Sequence, residues 1–119
     1  MEIKIEITSP DNVPRIQDEL EQCCNIKSFG EWTYNEFSIG EKALYRLIDK
    51  DEKKTVIAFL IEELDDGCVL IPAHCKGEKE PPFPMLSACI VDVIGLVISN
   101  MWSSINRISI IKESDNTVQ

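Results

Sequence analysis

The chain has 119 residues, 44% of them apolar, which is enough to bury a real core and argues against intrinsic disorder. Its 21 acidic and 12 basic residues leave a net charge of -9. That field repels phosphate polyanions, so direct binding to nucleic acid or to an acidic membrane surface is excluded as an expectation.

Ile3, Ile5 and Ile7 alternate with Lys4 and Glu6, which predicts a half-buried strand over 3–7. Thr8 to Asn12 breaks it and supplies caps. A helix then follows, with Pro14 in its first turn and Val13, Ile16, Leu20 and Cys23 or Cys24 at helical spacing. After a connection at 27–30, Trp32, Tyr34, Phe37 and Ile39 suggest a second, irregular strand ending at Gly40. Ala43 to Ile48 reads as a strand with Leu44 and Arg46 on one face and Tyr45 and Leu47 on the other. A charged turn, Asp49 to Lys54, leads to a strand over Thr55 to Ile61. The acidic turn Glu62 to Gly67, with its Asp66-Gly67 hairpin signal, returns the chain as a strand over Cys68 to Ala73. Gly77, Pro81, Pro82 and Pro84 mark a loop over Lys76 to Pro84. A long apolar helix spans Met85 to Asn100. Asp92 near its middle argues against a membrane span. Its small or polar stripe, Ala88, Asp92, Gly95 and Ser99, should face solvent or a close neighbour. It also offers a contact for a homodimer. Ile105 to Lys112 reads as a last strand, and 114–119 as a flexible tail.

The expected fold is therefore a single α+β domain over 1–119. Its order is β-α-β-β-β-β-α-β, with a mainly antiparallel sheet and two helices packed on one face.

The odd count of five cysteines, with no signal-peptide pattern in the alternating Met1–Ile7 segment, predicts free thiols in a reducing cytoplasm. His74 is the only histidine. Cys68 and Cys75 are seven apart and Cys23-Cys24 are adjacent, so no zinc-ligand spacing emerges and no metal site is expected. Cys75 beside His74 fails as a local nucleophile pair, because neighbours on a strand point to opposite faces. Cys89 reads as core. No glycine-rich phosphate loop is present, and no cofactor is expected. The chain thus offers no catalytic residue and is not expected to be an enzyme. The alternative is a small-molecule-binding domain or enzyme with a pocket near His74, Cys75 and Asp92.

Acidity is uneven: 16 of the 21 acids, against 8 of the 12 bases, fall in the first 66 residues. Glu62, Glu63, Asp65 and Asp66 crowd one turn, and Asp49 and Asp51 occupy the one before it. Such a field speeds encounter with a basic partner and can stand in for a phosphate backbone. Trp32 and Tyr34 add aromatic anchors of the type that carries interface energy.

Small size, acidity, thiols and the lack of a catalytic constellation resemble bacterial toxin-immunity proteins, such as those of contact-dependent growth inhibition systems. The resemblance implies a cytoplasmic protein that neutralises one cognate toxin, a basic nuclease, by covering its active site. Glu62, Glu63, Asp65, Asp66, Asp49, Asp51, Trp32 and Tyr34 would be the contact residues.

Overall fold

A computed structural model describes residues 2–77, 81–100 and 107–110. The elements are β1 (Ile3–Ile7), α1 (Val13–Cys23), α2 (Tyr34–Ser38), β2 (Lys42–Asp49), β3 (Lys54–Leu64), β4 (Gly67–His74), α3 (Phe83–Asn100) and β5 (Arg107–Ile110). They form one five-stranded sheet in the order β1-β2-β3-β4-β5. β1 to β4 are antiparallel neighbours, and β5 runs parallel to β4. A parallel pair needs a crossover connection, and α3 supplies it. The α+β class, the mainly antiparallel sheet and the Leu64–Gly67 hairpin all agree with the reading of the sequence.

Two details differ. First, the segment expected as a strand around Trp32 to Ile39 contains the helix α2. Thr33 caps it, accepting from the Glu36 N–H, while the Glu36 carboxylate accepts from the Thr33 N–H. This reciprocal capping box satisfies two backbone donors that would otherwise be orphaned. The aromatic residues are then spaced by a helical turn and its approach. Trp32 packs between Phe29 and Phe37, with ring centroids 5.7 Å apart in both pairs.

Second, the helices cover both faces of the sheet rather than one. Val13, Ile16 and Leu20 of α1, with Phe37 of α2, pack on Leu44, Ala58, Leu60, Val69, Ile71 and Ala73. Cys89, Val93 and Val97 of α3 pack on Tyr45, Leu47, Ile57, Phe59, Ile61, Cys68 and Leu70. The physical reason lies in β3 and β4. Val56 to Ile61 and Cys68 to Ile71 are buried without interruption. A strand exposed on one face would alternate; one covered on both reads as a continuous apolar run. Leu60 and Ile61 point to opposite layers and are both 0% exposed. Each such side chain contributes about 1.5–3 kcal/mol by leaving water.

α3 turns Ala88, Asp92, Gly95 and Ser99 to solvent, as its sequence pattern predicts. Among the described residues, no helix is long and apolar enough to cross a membrane. The expected tail at 114–119, and the expected strand outside 107–110, lie outside the described residues.

Candidate functional site: a basic pocket beside three cysteines

Antiparallel pairing of Ile57 with His74 brings the start of β3 next to the end of β4. The C-terminal end of α1 is tied to the same place by the backbone. Lys76 donates its N–H to the Cys23 carbonyl at 2.7 Å, Cys75 donates to Val56 at 3.0 Å, and Cys24 and Cys75 form an isolated antiparallel bridge. A pairing shift between Leu47 and Ile48 leaves Val56 as an extra residue in β3. Such a bulge bends the strand and re-aims its neighbours. The following turn holds Lys53 in the left-handed region, with φ 57°, a conformation that side-chain-bearing residues seldom adopt.

These constraints frame a cavity of about 330 Å³. Its walls are Glu19, Leu20 and Cys23 from α1, Arg46 from β2, Lys53, Lys54 and Thr55 from the β2–β3 turn, and Cys75 and Lys76 after β4. Four basic side chains thus face one carboxylate, in a chain whose net charge is -9. Arg46 is buried and already compensated. Its guanidinium pairs with Glu6, donates to the Thr55 hydroxyl at 3.0 Å and lies 3.9 Å from Glu19. Its Nε is buried without a hydrogen-bond partner among the described residues. Lys53, Lys54 and Lys76 add three further cations to the wall.

Cys24 and Cys75 are joined by a disulfide, and the Cys23 Sγ lies 3.6 Å from each of their sulfurs. The expectation of free thiols is corrected for Cys24 and Cys75. Three cysteines, two adjacent and one 51 residues away, meet in space, a grouping that sequence spacing does not reveal. Cys68 and Cys89 are buried in the other layer, where burial pushes both thiols up from their ordinary pKa. The nearby Asp92 carboxylate adds to the effect at Cys89. Burial likewise raises Tyr45, whose hydroxyl has no hydrogen-bond partner among the described residues.

The residues expected to form a binding surface do not come together. Glu62, Glu63, Asp65 and Asp66 sit at the β3–β4 turn, and Asp49 and Asp51 at the β2–β3 turn, at opposite ends of an eleven-residue strand. At about 3.3 Å per residue that separates the turns by roughly 30 Å. Asp49 is buried, and its carboxylate accepts from the N–H groups of Asp51 and Glu52, so it holds the turn. Glu62 lies 3.9 Å from Lys42, which also pairs with Glu36 at 3.0 Å. Hydrogen bonding from Thr33, with help from Lys42, holds the Glu36 carboxyl below its ordinary pKa. Trp32 packs against the core, and exposed Tyr34 donates to Asp11 at 3.2 Å.

Of the three residues named for a small-molecule pocket, Cys75 lines this cavity, and His74 and Asp92 are not among its described lining residues. His74 belongs to the α3 side of β4 by strand alternation, and Asp92 is exposed on α3. Glu19, Arg46, Lys53, Lys54 and Lys76 are not among the residues that the sequence pattern singles out. The one signal that could have found them was the lysine-rich turn Lys50 to Lys54 within an acidic half.

No protein-family model matches the chain, and no curated protein matches its sequence. Solved structures do. The structure of an aminoglycoside acetyltransferase from an uncultured soil metagenomic sample aligns with 99% of this chain and 83% of its own. The TM-score is 0.59 at 12% identity. A probable acetyltransferase aligns over 97% of this chain and 82% of its own, with a TM-score of 0.56 at 10% identity. Glucosamine-6-phosphate N-acetyltransferase from Arabidopsis thaliana aligns over 99% and 87%, with a TM-score of 0.50 at 11% identity. This likeness overturns two expectations, that the chain is a toxin-immunity protein and that it is not an enzyme. The fold, from β1 through β5, is similar to that of acetyltransferases.

Proposed function

We propose that this chain is an acetyltransferase whose anionic donor, acetyl-CoA, is held partly by the basic pocket. The observation that carries the reading is a cluster of cationic side chains in an otherwise acidic protein, set into an acetyltransferase-like fold. A cavity of about 330 Å³ is at the small end of ligand sites. It suits one phosphate-bearing arm of the donor rather than the whole molecule.

The β4–α3 connection supports the assignment of this work to side chains. Backbone N–H groups at a helix N-terminus are a common phosphate site. Here Pro81, Pro82 and Pro84 surround the start of α3 at Phe83 and carry no N–H. Gly77 alone supplies a glycine. Lys53, Lys54 and Lys76 then supply by charge the phosphate contacts that backbone N–H groups would otherwise provide.

The proposed reaction is acyl transfer. An acceptor amine nitrogen attacks the thioester carbonyl carbon and forms the amide C–N bond. The C–S bond breaks, the coenzyme sulfur leaves as thiolate, and the amine proton passes to solvent. Glu19, the one carboxylate among the described residues of the pocket wall, offers a hydrogen-bond acceptor to the incoming amine. Its pairs with Arg15 at 3.2 Å and Arg46 at 3.9 Å hold it in place.

The test is release of coenzyme thiol from acetyl-CoA in the presence of aminoglycosides, amino sugars and polyamines. Transfer to at least one class, weakened in a Glu19→Gln variant, is expected. No transfer to any of them, together with no binding of acetyl-CoA, would remove the reading.

A further inference from the structure

We propose that Cys23, Cys24 and Cys75 form a binding site for a thiophilic metal ion of the Zn(II) or Cu(I) class once the Cys24–Cys75 bridge is reduced. The cysteine cluster borders the pocket, but the proposal does not rest on acetyl transfer. All three sulfurs lie within 4.8 Å of one another, and Cys23 Sγ is 3.6 Å from both others. Zinc–thiolate bonds of about 2.3 Å at tetrahedral angles place neighbouring sulfurs about 3.8 Å apart. The two Cys23 contacts already match that spacing. Breaking the bridge lets the remaining pair relax to the same nonbonded separation.

The cluster does not depend on the bridge for its assembly. The Lys76 N–H to Cys23 carbonyl bond, the Cys75 N–H to Val56 carbonyl bond and the Cys24–Cys75 backbone bridge hold the three positions together. Cys24 and Cys75 are each 5% exposed, and Cys23 is half-buried. Cys23 and Cys75 also line the pocket, which gives an ion its route in and a water or solute the remaining coordination position. Three thiolates around a divalent ion carry one net negative charge. Lys53, Lys54, Lys76 and Arg46 stand beside the cluster to offset it, with Glu19 and the Arg46-bound Glu6 as the nearby carboxylates.

The chemistry balances in two steps. An external dithiol reduces the bridge, delivering two electrons and two protons, and is itself oxidised to a disulfide. The three thiols then bind the ion and release three protons. A low-molecular-weight disulfide, taking up two electrons and two protons to become two thiols, re-forms the Cys24–Cys75 bond and expels the ion, so the site binds metal only when reduced.

The experiment is anaerobic titration of dithiol-reduced, desalted protein with Zn(II) against a chromogenic chelator, and with Co(II) as a spectroscopic probe. One ion per chain is expected, with thiolate-to-cobalt charge-transfer absorption. Cys23→Ser should weaken binding by more than the roughly 10–100-fold that loss of an outer-shell partner costs. Cys68→Ser and Cys89→Ser should leave it unchanged. Reoxidation should release the ion. Cys23→Ser retains the bridge pair, so its fold can be checked by circular dichroism before reduction. Zn(II) binding equal in Cys23→Ser and the parent chain, or no binding at all by the reduced parent, would overturn the proposal.

Discussion

Neutralising the pocket lysines is the most informative perturbation of the ligand site. In a Lys53→Gln/Lys54→Gln/Lys76→Gln variant the cavity keeps its walls but loses three of its four cations. Arg46 is left in place because Glu6 and Glu19 already balance it. Two unit charges about 4 Å apart in water interact by about 1 kcal/mol, and exposed pairs measure about 0.2–1 kcal/mol each. Three lysines acting on donor phosphates therefore contribute about 0.6–3 kcal/mol, or a roughly 3- to 150-fold loss of CoA affinity. Calorimetric titration with CoA reads this directly. Raising the salt shortens the screening length from about 10 Å at 0.1 M to about 3 Å at 1 M, so the parent protein should move toward the variant. An affinity within twofold of the parent, with the same salt dependence, would refute the reasoning.

Charge reversal at Glu62, Glu63, Asp65 and Asp66 should leave CoA affinity unchanged in the same titration, because that turn lies at the far end of β3 from the pocket. Leu60→Ala, at a fully buried site on the central strand, should cost about 2–5 kcal/mol in urea unfolding. Thr33→Ala should cost about 1 kcal/mol through loss of the α2 cap. The Glu36 carboxyl is depressed in the folded protein, so its contribution is present above the ordinary glutamate range and is lost as pH falls through the lowered value. The urea midpoint of Thr33→Val should accordingly fall less steeply on acidification than that of the parent. Closing a 51-residue separation, the Cys24–Cys75 bridge is worth about 4 kcal/mol on the chain-entropy account, so unfolding with and without a dithiol should differ measurably.

Local patterns made most of the sheet legible. Alternation in Ile3 to Ile7 and the apolar spacing of Val13, Ile16 and Leu20 each report a face that the structure buries. The Asp66-Gly67 signal marks the hairpin that forms at Leu64–Gly67. Two misreadings had visible remedies. Thr33-x-x-Glu36 is a capping signature that outweighs the β preference of Trp32, Tyr34 and Phe37. The unbroken apolar run Val56 to Ile61 signals helices on both faces.

The site was less legible because tertiary pairing builds it. Lys53 and Lys76 meet only when β3 begins beside the end of β4. Cys75 reaches Cys23 and Cys24 only when α1 ends on that same edge. Net charge misled for a related reason. It reports the whole surface, whereas a ligand responds to the few charges around one cavity. The expected acidic surface is divided between two ends of the sheet, and a basic cavity lies near one of them.

Amide chemical-shift mapping with CoA reads donor contact residue by residue. Saturable shifts are expected at Lys53 to Thr55 and at Cys75 to Gly77, with the Glu62–Asp66 turn unmoved. Shifts confined to that turn, or none anywhere at saturating CoA, would contradict donor binding at the basic pocket.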